Sequence, residues 1–316
     1  FNIPLRSACM PAMLSQPPPK GVRMRVAIEA ILDYEFADPT DVLLAVEAAA
    51  MPDQHIVEQS HIIDNAGPLT NRVGGSGVGR RTWTRTGIGR MVTIGTRFAQ
   101  AEQVKALTER FDCVLGTVGI HPHNAGEGEL PGPEALAALA DHPRIIGLGE
   151  SGLDYFYDKA PREAQAENFR NHIRAAQITG LPLAIHARQA DEDIADILAE
   201  ERDRGGAFPF LLHCFSSGRG LAERAVAMGG YLSFSGILTF PKSEELREIA
   251  RDMPADRLLV ETDAPYLAPV PFRGKRCEPA MVAHTAKVLA GVRGLEIAAL
   301  EDLTTRNFET LFQKAA

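Results

Sequence analysis

Apolar and polar positions alternate on a large scale from Met91 to the C-terminus. Short, nearly continuous apolar runs, typical of parallel strands covered on both faces, are separated by longer stretches with helical periodicity. The seven predicted strands cover residues 91–96, 114–121, 145–150, 182–186, 210–213, 231–236 and 258–263. The predicted helices cover residues 98–110, 131–140, 162–179, 189–204, 219–228, 243–252, 278–291 and 296–314. This alternation predicts βαβ units and an α/β fold.

Seven strands are one fewer than a closed barrel of this kind contains. A TIM-type (β/α)8 barrel has eight parallel strands, and the one not accounted for would precede Met91. The sequence therefore predicts a TIM-type (β/α)8 barrel over residues 88–316, with its usual first strand missing or replaced. Residues 57–64 are the candidate for a replacement strand.

The chain upstream of Met91 differs from the rest in composition and in its pattern of apolar residues. Residues 1–23 are rich in proline and are expected to be disordered, and residues 24–87 form an atypical N-terminal segment. Within that segment, residues 67–89 contain seven glycines and four arginines, which predicts a flexible linker before the barrel. The change in character falls near Gly87, so residues 24–87 are interpreted as a fusion or a reading-frame artefact.

Composition narrows the class of protein and its location. Apolar residues make up 45% and charged residues 23%, as in an ordinary globular protein. A net charge of −8 argues against a broad basic surface for nucleic acid, although bound cations would offset part of it. The four cysteines show no Cys-x-x-Cys spacing, and no apolar run reaches the roughly 18 residues that span a bilayer. These features favour a reducing, cytoplasmic location without a membrane partner.

Four residues that commonly bind metal ions end four of the predicted strands: Glu150, His186, His213 and Asp263. In a parallel barrel the carboxyl ends of the strands converge on one mouth, so these side chains are expected to share an ion. A competing interpretation is a salt-bridge network of the two carboxylates with Arg188 or Arg257, which leaves the two histidines unexplained. A lone histidine at a strand end is usually structural, so the inference depends on all four together.

Several longer stretches resemble one known family. Residues 88–316 are similar to TatD-family metal-dependent hydrolases, which are amidohydrolase-like barrels with DNase and related phosphoesterase activity. The matching stretches are Val118-Gly-Ile-His-Pro-His123, Ile146-Gly-Leu-Gly-Glu-Ser-Gly-Leu-Asp-Tyr155, Leu181-Pro-Leu-Ala-Ile-His-Ala-Arg188, Leu212-His-Cys-Phe-Ser216, Ser235-Gly-Ile237, Val260-Glu-Thr-Asp-Ala-Pro-Tyr-Leu-Ala-Pro269 and Arg273-Gly-Lys-Arg276.

The resemblance implies a set of roles for the strand-end residues. It implies that Glu150 bridges two divalent cations (Mg²⁺, Mn²⁺ or Zn²⁺), that His186 and His213 complete one site, and that Asp263 belongs to the other. Asp263 would also orient or deprotonate the attacking water, so Glu150 and Asp263 are the predicted catalytic residues. The implied reaction is hydrolysis of phosphodiester bonds in DNA.

The chain departs from the family at its N-terminal end. The first strand of the family ends in His-x-His, which supplies two ligands to the site of Asp263, but no His-x-His precedes Met91 here. His55 and His61 are six residues apart, so an active two-metal centre would need ligands from such upstream residues. We therefore expect one tight cation site and reduced activity. Residues 24–86 weakly resemble the N-terminal region of bacterial transglutaminase-like proteins, without their catalytic part.

Substrate contacts are predicted around the same mouth. Arg188 lies just past a ligand strand, where a guanidinium can bind a phosphate oxygen bidentately. His121 and His123 end another strand and are candidates for phosphate contacts, although hydrogen-bonded structural histidines fit equally well. Asp154 is placed beyond its strand as an acceptor that orients a histidine. Four further basic residues in mouth-side loops are candidates to follow a nucleic-acid backbone: Lys242, Arg273, Lys275 and Arg276.

Cys214 is expected to point to the opposite face of its strand from His213 and to lie in the core, because successive strand residues alternate faces.

Two other functions stay open at this point: hydrolysis of another substrate, such as an amide or a D-aminoacyl ester, and an inactive fused barrel remnant. The predicted partner is DNA or another phosphodiester, with no obligate protein partner.

Overall fold

The computed structural model describes residues 90–315 continuously and three strands upstream of them. Those strands are β1 (Thr40–Leu44), β2 (Thr70–Val73) and β3 (Arg80–Thr86), which form an antiparallel sheet in the order β1-β3-β2. The chain divides into two compact units, residues 1–88 and 89–316. The expectations of disorder in residues 1–23 and of a replacement strand in residues 57–64 fall outside the described residues.

The flexible linker predicted for residues 67–89 is wrong in part, because β2 and β3 lie within it. Their threonines, valine and tryptophan favour extended backbone, and β3 pairs with both neighbours over its length. Four of the glycines lie between the two strands, so high glycine content marks the connection and not the whole segment. The glycine content of residues 67–89 taken as one segment does not reveal the two short strands within it.

Seven parallel strands form the sheet of the second unit, as predicted. They are β4 (Met91–Ile94), β5 (Val114–Val118), β6 (Ile145–Asp154), β7 (Leu183–Arg188), β8 (Phe210–Leu212), β9 (Tyr231–Phe234) and β10 (Leu258–Val260). Each strand pairs with its neighbours in chain order, from β4 at one edge to β10 at the other. Within residues 90–315 these two edge strands do not pair with each other, which leaves the TIM-type sheet open where the usual first strand would lie.

Helices separate the strands and cover the sheet, which confirms the predicted alternation. They are α1 (Ala101–Arg110), α2 (Pro133–Leu139), α3 (Arg162–Thr179), α4 (Asp191–Gly205), α5 (Arg219–Ala227), α6 (Glu244–Asp252), α7 (Val282–Arg293) and α8 (Ile297–Leu311). None of these helices is both long and apolar enough to cross a membrane, within the part of the chain that the structure describes.

The two faces of the strands build two apolar clusters. One cluster joins strand residues such as Leu148 and Ile185 to Phe169 and Ile173 of α3. The other joins alternate strand positions, among them Ile146, to the C-terminal residues Leu311, Phe312 and Ala315. Because both faces are buried, the strands read as continuous apolar runs, and polar residues are concentrated near their carboxyl ends.

His172 connects α3 to the segment that follows β5. Its side chain is fully buried, its Nε2 accepts a hydrogen bond from the backbone N–H of Ile120 at 3.1 Å, and its Nδ1 donates to the carbonyl of Asn168 at 2.8 Å. Accepting at Nε2 requires the neutral ring with its proton on Nδ1. Burial lowers the pKa of His172 to about 4, against a smaller opposing effect of the Asn168 carbonyl.

We expect His172 to make folding sensitive to acid. The pKa is depressed in the folded state, so the unfolded chain binds more protons, and stability falls as pH drops from about 6.5 towards about 4. Between about pH 7 and about pH 5 the free energy of unfolding should fall by about 2 kcal/mol more in the parent protein than in His172→Gln. Gln does not titrate but keeps a donor and an acceptor. Urea denaturation at the two pH values measures this difference, and equal pH dependence in both proteins would contradict it.

Candidate metal centre

The four predicted ligands meet at the carboxyl ends of the strands, although two of them lie inside strands and two beyond. Glu150 is in β6 and His186 in β7, whereas His213 directly follows β8 and Asp263 lies three residues after β10. The prediction that Glu150 ends its strand is wrong, because β6 continues beside β7 as far as Asp154. The pairing register shifts between Leu148 and Ser151, so Glu150 sits at an irregularity in the ladder. A bulge of this kind commonly redirects a side chain next to a functional site.

One carboxylate oxygen lies at the centre of the site. Oε1 of Glu150 is 2.9 Å from Nδ1 of His186, 2.9 Å from Nε2 of His213 and 3.4 Å from Nε2 of His121. The Glu150 residue is only 8% exposed, so the carboxylate has little access to water. Burial raises the pKa of Glu150, but the three imidazoles outweigh burial and hold that pKa well below its usual range. Imidazole nitrogens gathered around one buried carboxylate are a suitable donor set for a divalent cation.

A second group of donors lies on the other side of His213. Nδ1 of that ring is 2.9 Å from Oε1 of Glu261, and Asp263 lies close to both. Burial, opposed by His213 and supported by the charges of Glu261 and Glu150, raises the pKa of Asp263 to about 6. Several carboxylates that share a poorly hydrated site repel one another, and a cation relieves that repulsion.

The donor atoms therefore fall into two neighbouring sets. His121, Glu150 and His186 form one, and within it all donor atoms lie within 4.8 Å of one another. The other, defined by the same distance, contains His213, Glu261 and Asp263. The sequence placed His213 with Glu150 and His186; in the structure it contacts Glu150 but shares its set with Asp263. Both sets consist of nitrogen and carboxylate donors, which fit Zn²⁺, Mn²⁺ and related ions.

The competing salt-bridge network is absent from residues 90–315. Arg257 pairs with Asp256 at 3.8 Å and stacks on Tyr231, and it makes no ion pair with Glu150 or Asp263. Arg188 likewise makes no ion pair with a described residue, and its Cζ lies 4.6 Å from the ring centroid of Phe156. The carboxylates of the site are thus surrounded by imidazoles, with no arginine neutralising them.

Asp154 connects His123 to the centre. One of its oxygens, Oδ2, lies 2.7 Å from Nε2 of His123 and 3.2 Å from Nε2 of His186. The carboxylate is completely buried. The sequence placed this residue beyond the strand end, but it is the last residue of β6 and pairs in register with Arg188. A buried acceptor behind a ligating histidine fixes the orientation of the ring.

One residue of the site was not predicted from the sequence, and one was predicted wrongly. Glu261 contacts His213, and its position two residues before Asp263 was the available signal, because alternate residues of an extended segment share a side. Cys214 was predicted to lie in the core on the opposite face, which is wrong: its Sγ is 3.6 Å from Oδ2 of Asp263. The chain leaves the strand at Leu212, and Cys214 has a left-handed backbone with φ of 46°, so strand alternation no longer applies.

An open parallel barrel sheet with histidines and carboxylates gathered at its carboxyl rim is the architecture of a metal-dependent hydrolase. The family model of TatD-related DNases matches residues 75–313. The chain belongs to this family.

Curated relatives agree with this assignment. The chain is 43% identical over 203 residues to the uncharacterized metal-dependent hydrolase YcfH of Escherichia coli K12, covering 64% of this chain and 74% of that protein. It is 36% identical over 224 residues to the uncharacterized metal-dependent hydrolase YabD of Bacillus subtilis, covering 71% and 87%. It is 33% identical over 232 residues to a Shigella flexneri protein named 3'-5' ssDNA/RNA exonuclease TatD, covering 72% and 88%.

Solved structures show the same fold. The crystal structure of YJJV, a TatD homologue from Escherichia coli K12, superposes with a TM-score of 0.66 at 26% identity, covering 71% of this chain and 86% of that one. A TatD-family hydrolase from Entamoeba histolytica reaches a TM-score of 0.63 at 17% identity, covering 71% and 84%. The resemblance of residues 24–86 to transglutaminase-like proteins stays a prediction, since most of that segment lies outside the described residues.

Proposed function

We propose that this metal-dependent hydrolase cleaves phosphodiester bonds in DNA. The observation that supports the proposal most strongly is a buried donor cluster centred on Glu150, with Arg188 two residues beyond His186 and without an ion pair to any described residue. Arginine binds phosphate oxygens in a bidentate geometry, whereas neutral amide substrates offer no such anion. The name of the Shigella flexneri relative supports a nucleic-acid substrate.

Glu150, His186 and His213 would hold the tighter cation, with His121 as a further donor, and Asp263 with Glu261 would hold the weaker one. When bound, a divalent cation makes water more acidic and neutralises charge that develops on the phosphoryl oxygens. Because the chain lacks an upstream His-x-His before Met91, we propose one tightly bound cation and a weaker second site. The hydrolase unit is proposed to span residues 88–316.

The side chains around the cation have separate roles in the proposed reaction. Arg188 holds a non-bridging phosphate oxygen, His213 is kept in orientation by Glu261, and Asp263 accepts the proton of the attacking water. Water adds to phosphorus, the bond to the leaving oxygen breaks, and that oxygen takes up a proton from solvent. The proton lost by the attacking water goes to Asp263, which passes it to solvent, and the leaving oxygen gains one from solvent, so the step balances.

Degradation of a single-stranded oligodeoxynucleotide with Mn²⁺ or Mg²⁺ tests the proposal, with His186→Ala prepared in parallel. Cleavage by the parent protein and its loss in the variant are the expected outcome. Equal cleavage by both preparations would point to a contaminating nuclease. Hydrolysis of amide or D-aminoacyl ester substrates in place of DNA would overturn the phosphodiester assignment but not the family.

Substitution of Arg188 tests the phosphate contact. We expect Arg188→Ala to lower kcat/KM for DNA about a hundredfold, because a charged donor in a partly buried site is lost. Arg188→Lys should recover only part of this, since an ammonium lacks the planar pair of donors. Steady-state kinetics on an oligonucleotide measures the effect, with the exposed Arg251→Ala on α6 as the control. An Arg188→Ala protein within twofold of the parent would contradict the role.

A further inference from the structure

Two aromatic side chains are exposed directly beside the metal centre. Phe156 and Tyr157 follow the end of β6, and half of each residue is accessible, at 50% and 51%. Their rings meet edge to face, with centroids 4.8 Å apart. Adjacent exposed aromatic side chains at the rim of a candidate site offer an apolar face to a ligand. We use the name aromatic ledge for these two residues.

The ledge is held rigidly to the candidate metal centre by one carboxylate. Oδ1 of Asp154 accepts hydrogen bonds from the backbone N–H groups of Phe156 and Tyr157, at 3.0 and 2.8 Å. Oδ2 of the same carboxylate contacts His123 and His186. A single buried side chain therefore ties the position of the ledge to that of the histidines. Such a loop binds a planar ligand without first having to be ordered.

Arg188, His123 and an open cavity lie beside the aromatic ledge. The Cζ of Arg188 lies 4.6 Å from the ring centroid of Phe156 and 5.1 Å from that of Tyr157. The ring centroid of Tyr157 is 5.3 Å from that of His123, which borders the donor cluster. A cavity of about 800 Å³ lies beside Phe156 and Arg188 and extends to Ser216, and it is also lined by three acidic residues, Asp191, Glu192 and Asp193. The histidines of the donor cluster, the guanidinium of Arg188 and an aromatic face are thus contiguous.

We propose that the aromatic ledge is a stacking subsite for an unpaired nucleobase adjacent to the scissile phosphate. This inference rests on the proposed function and adds to the same site the two residues that would bind a base of the substrate. Bases within a duplex are stacked on one another and cannot cover Phe156, whereas a base in a single strand can. Stacking contributes about 1–3 kcal/mol per base and tolerates any sequence. Stacking on Phe156 would add to the affinity that Arg188 provides through the phosphate.

Fluorescence anisotropy with a short labelled oligothymidylate carrying hydrolysis-resistant phosphorothioate linkages, in Mn²⁺, tests the subsite apart from catalysis. We expect Phe156→Ala to weaken binding about tenfold and Phe156→Leu nearly as much, because leucine keeps apolar bulk but lacks a π face. An oligonucleotide with abasic residues should bind the parent protein about tenfold more weakly and be insensitive to Phe156→Ala. Ile178→Ala, which truncates an exposed apolar residue on α3, is the matched control.

Three outcomes would overturn the subsite. These are binding unchanged in Phe156→Ala, an equal loss for normal and abasic oligonucleotides, and a parent protein that binds blunt duplex as well as single strands. Failure of the proposed function is distinguishable, since it appears as absent cleavage of unmodified DNA by a protein that binds the oligonucleotide normally. If the parent protein binds no oligonucleotide but cleaves another phosphodiester, the subsite is wrong and the phosphodiesterase chemistry stands.

Discussion

Glu150→Gln is expected to lower DNA hydrolysis by about a thousandfold. The carboxylate is buried and touches His121, His186 and His213, so it contacts residues of both donor sets. An amide of the same shape has no charge to balance a cation, and the loss of about 4 kcal/mol of transition-state stabilisation corresponds to this factor. Steady-state kinetics with Mn²⁺ measures it.

Metal binding should change in parallel. Calorimetric titration of the parent protein with Mn²⁺ is expected to show one tight site, and Glu150→Gln should lose it. Glu309→Gln, an exposed carboxylate on α8, is the matched control and should leave both kinetics and titration unchanged. A Glu150→Gln protein with more than a tenth of the parent activity would exclude a central role for this carboxylate. Two tight sites of equal affinity in the parent would contradict the single-site proposal.

Gly152→Ala is expected to destabilise the fold by about 4 kcal/mol. Gly152 pairs with His186 across β6 and β7 and has a φ of 145°, a conformation that side chains disfavour. A methyl group at this position would overlap the backbone carbonyl oxygen of His186, so one of two central strands must move. Effects of this size are exceptional for single substitutions and require such a collision.

Chemical denaturation measures this loss, and Gly128→Ala is the control because a methyl group there meets no atom within 4 Å. Any folded fraction of Gly152→Ala should bind Mn²⁺ more weakly, since displacement of His186 moves a proposed ligand. A Gly152→Ala protein within about 1 kcal/mol of the parent would show that the two strands separate easily at this pairing.

The proposed stacking of a base on Phe156 and the proposed phosphate contact of Arg188 involve different parts of the substrate at the same mouth of the barrel. In the proposed complex Arg188 would hold the phosphate whether or not the neighbouring base is unpaired, whereas Phe156 would hold only an unpaired base. Kinetics on Arg188 variants and binding by Phe156 variants therefore test different parts of the substrate, although the two side chains are in contact. Asp154 connects the two parts, because its two oxygens hold the ledge on one side and the histidines on the other.

The sequence by itself determined the order of strands and helices, because buried parallel strands must be apolar on both faces and this produces continuous runs that are easy to recognise. It also indicated Glu150, His186, His213 and Asp263, since parallel strands deliver their carboxyl ends to one rim. The family resemblance added the hydrolase class, which the match of residues 75–313 confirms.

Only the tertiary structure decided which donors share a set. The grouping of His213 with Glu261, the approach of Cys214 to Asp263 and the link from Asp154 to the aromatic ledge depend on where strands end and where backbone turns left-handed. Strand periodicity predicts the side of the sheet but not the residue at which the ladder stops or shifts register. The distances between side chains on different strands depend on where the pairing stops or shifts. A shift of one residue turns every later side chain of that strand to the other face.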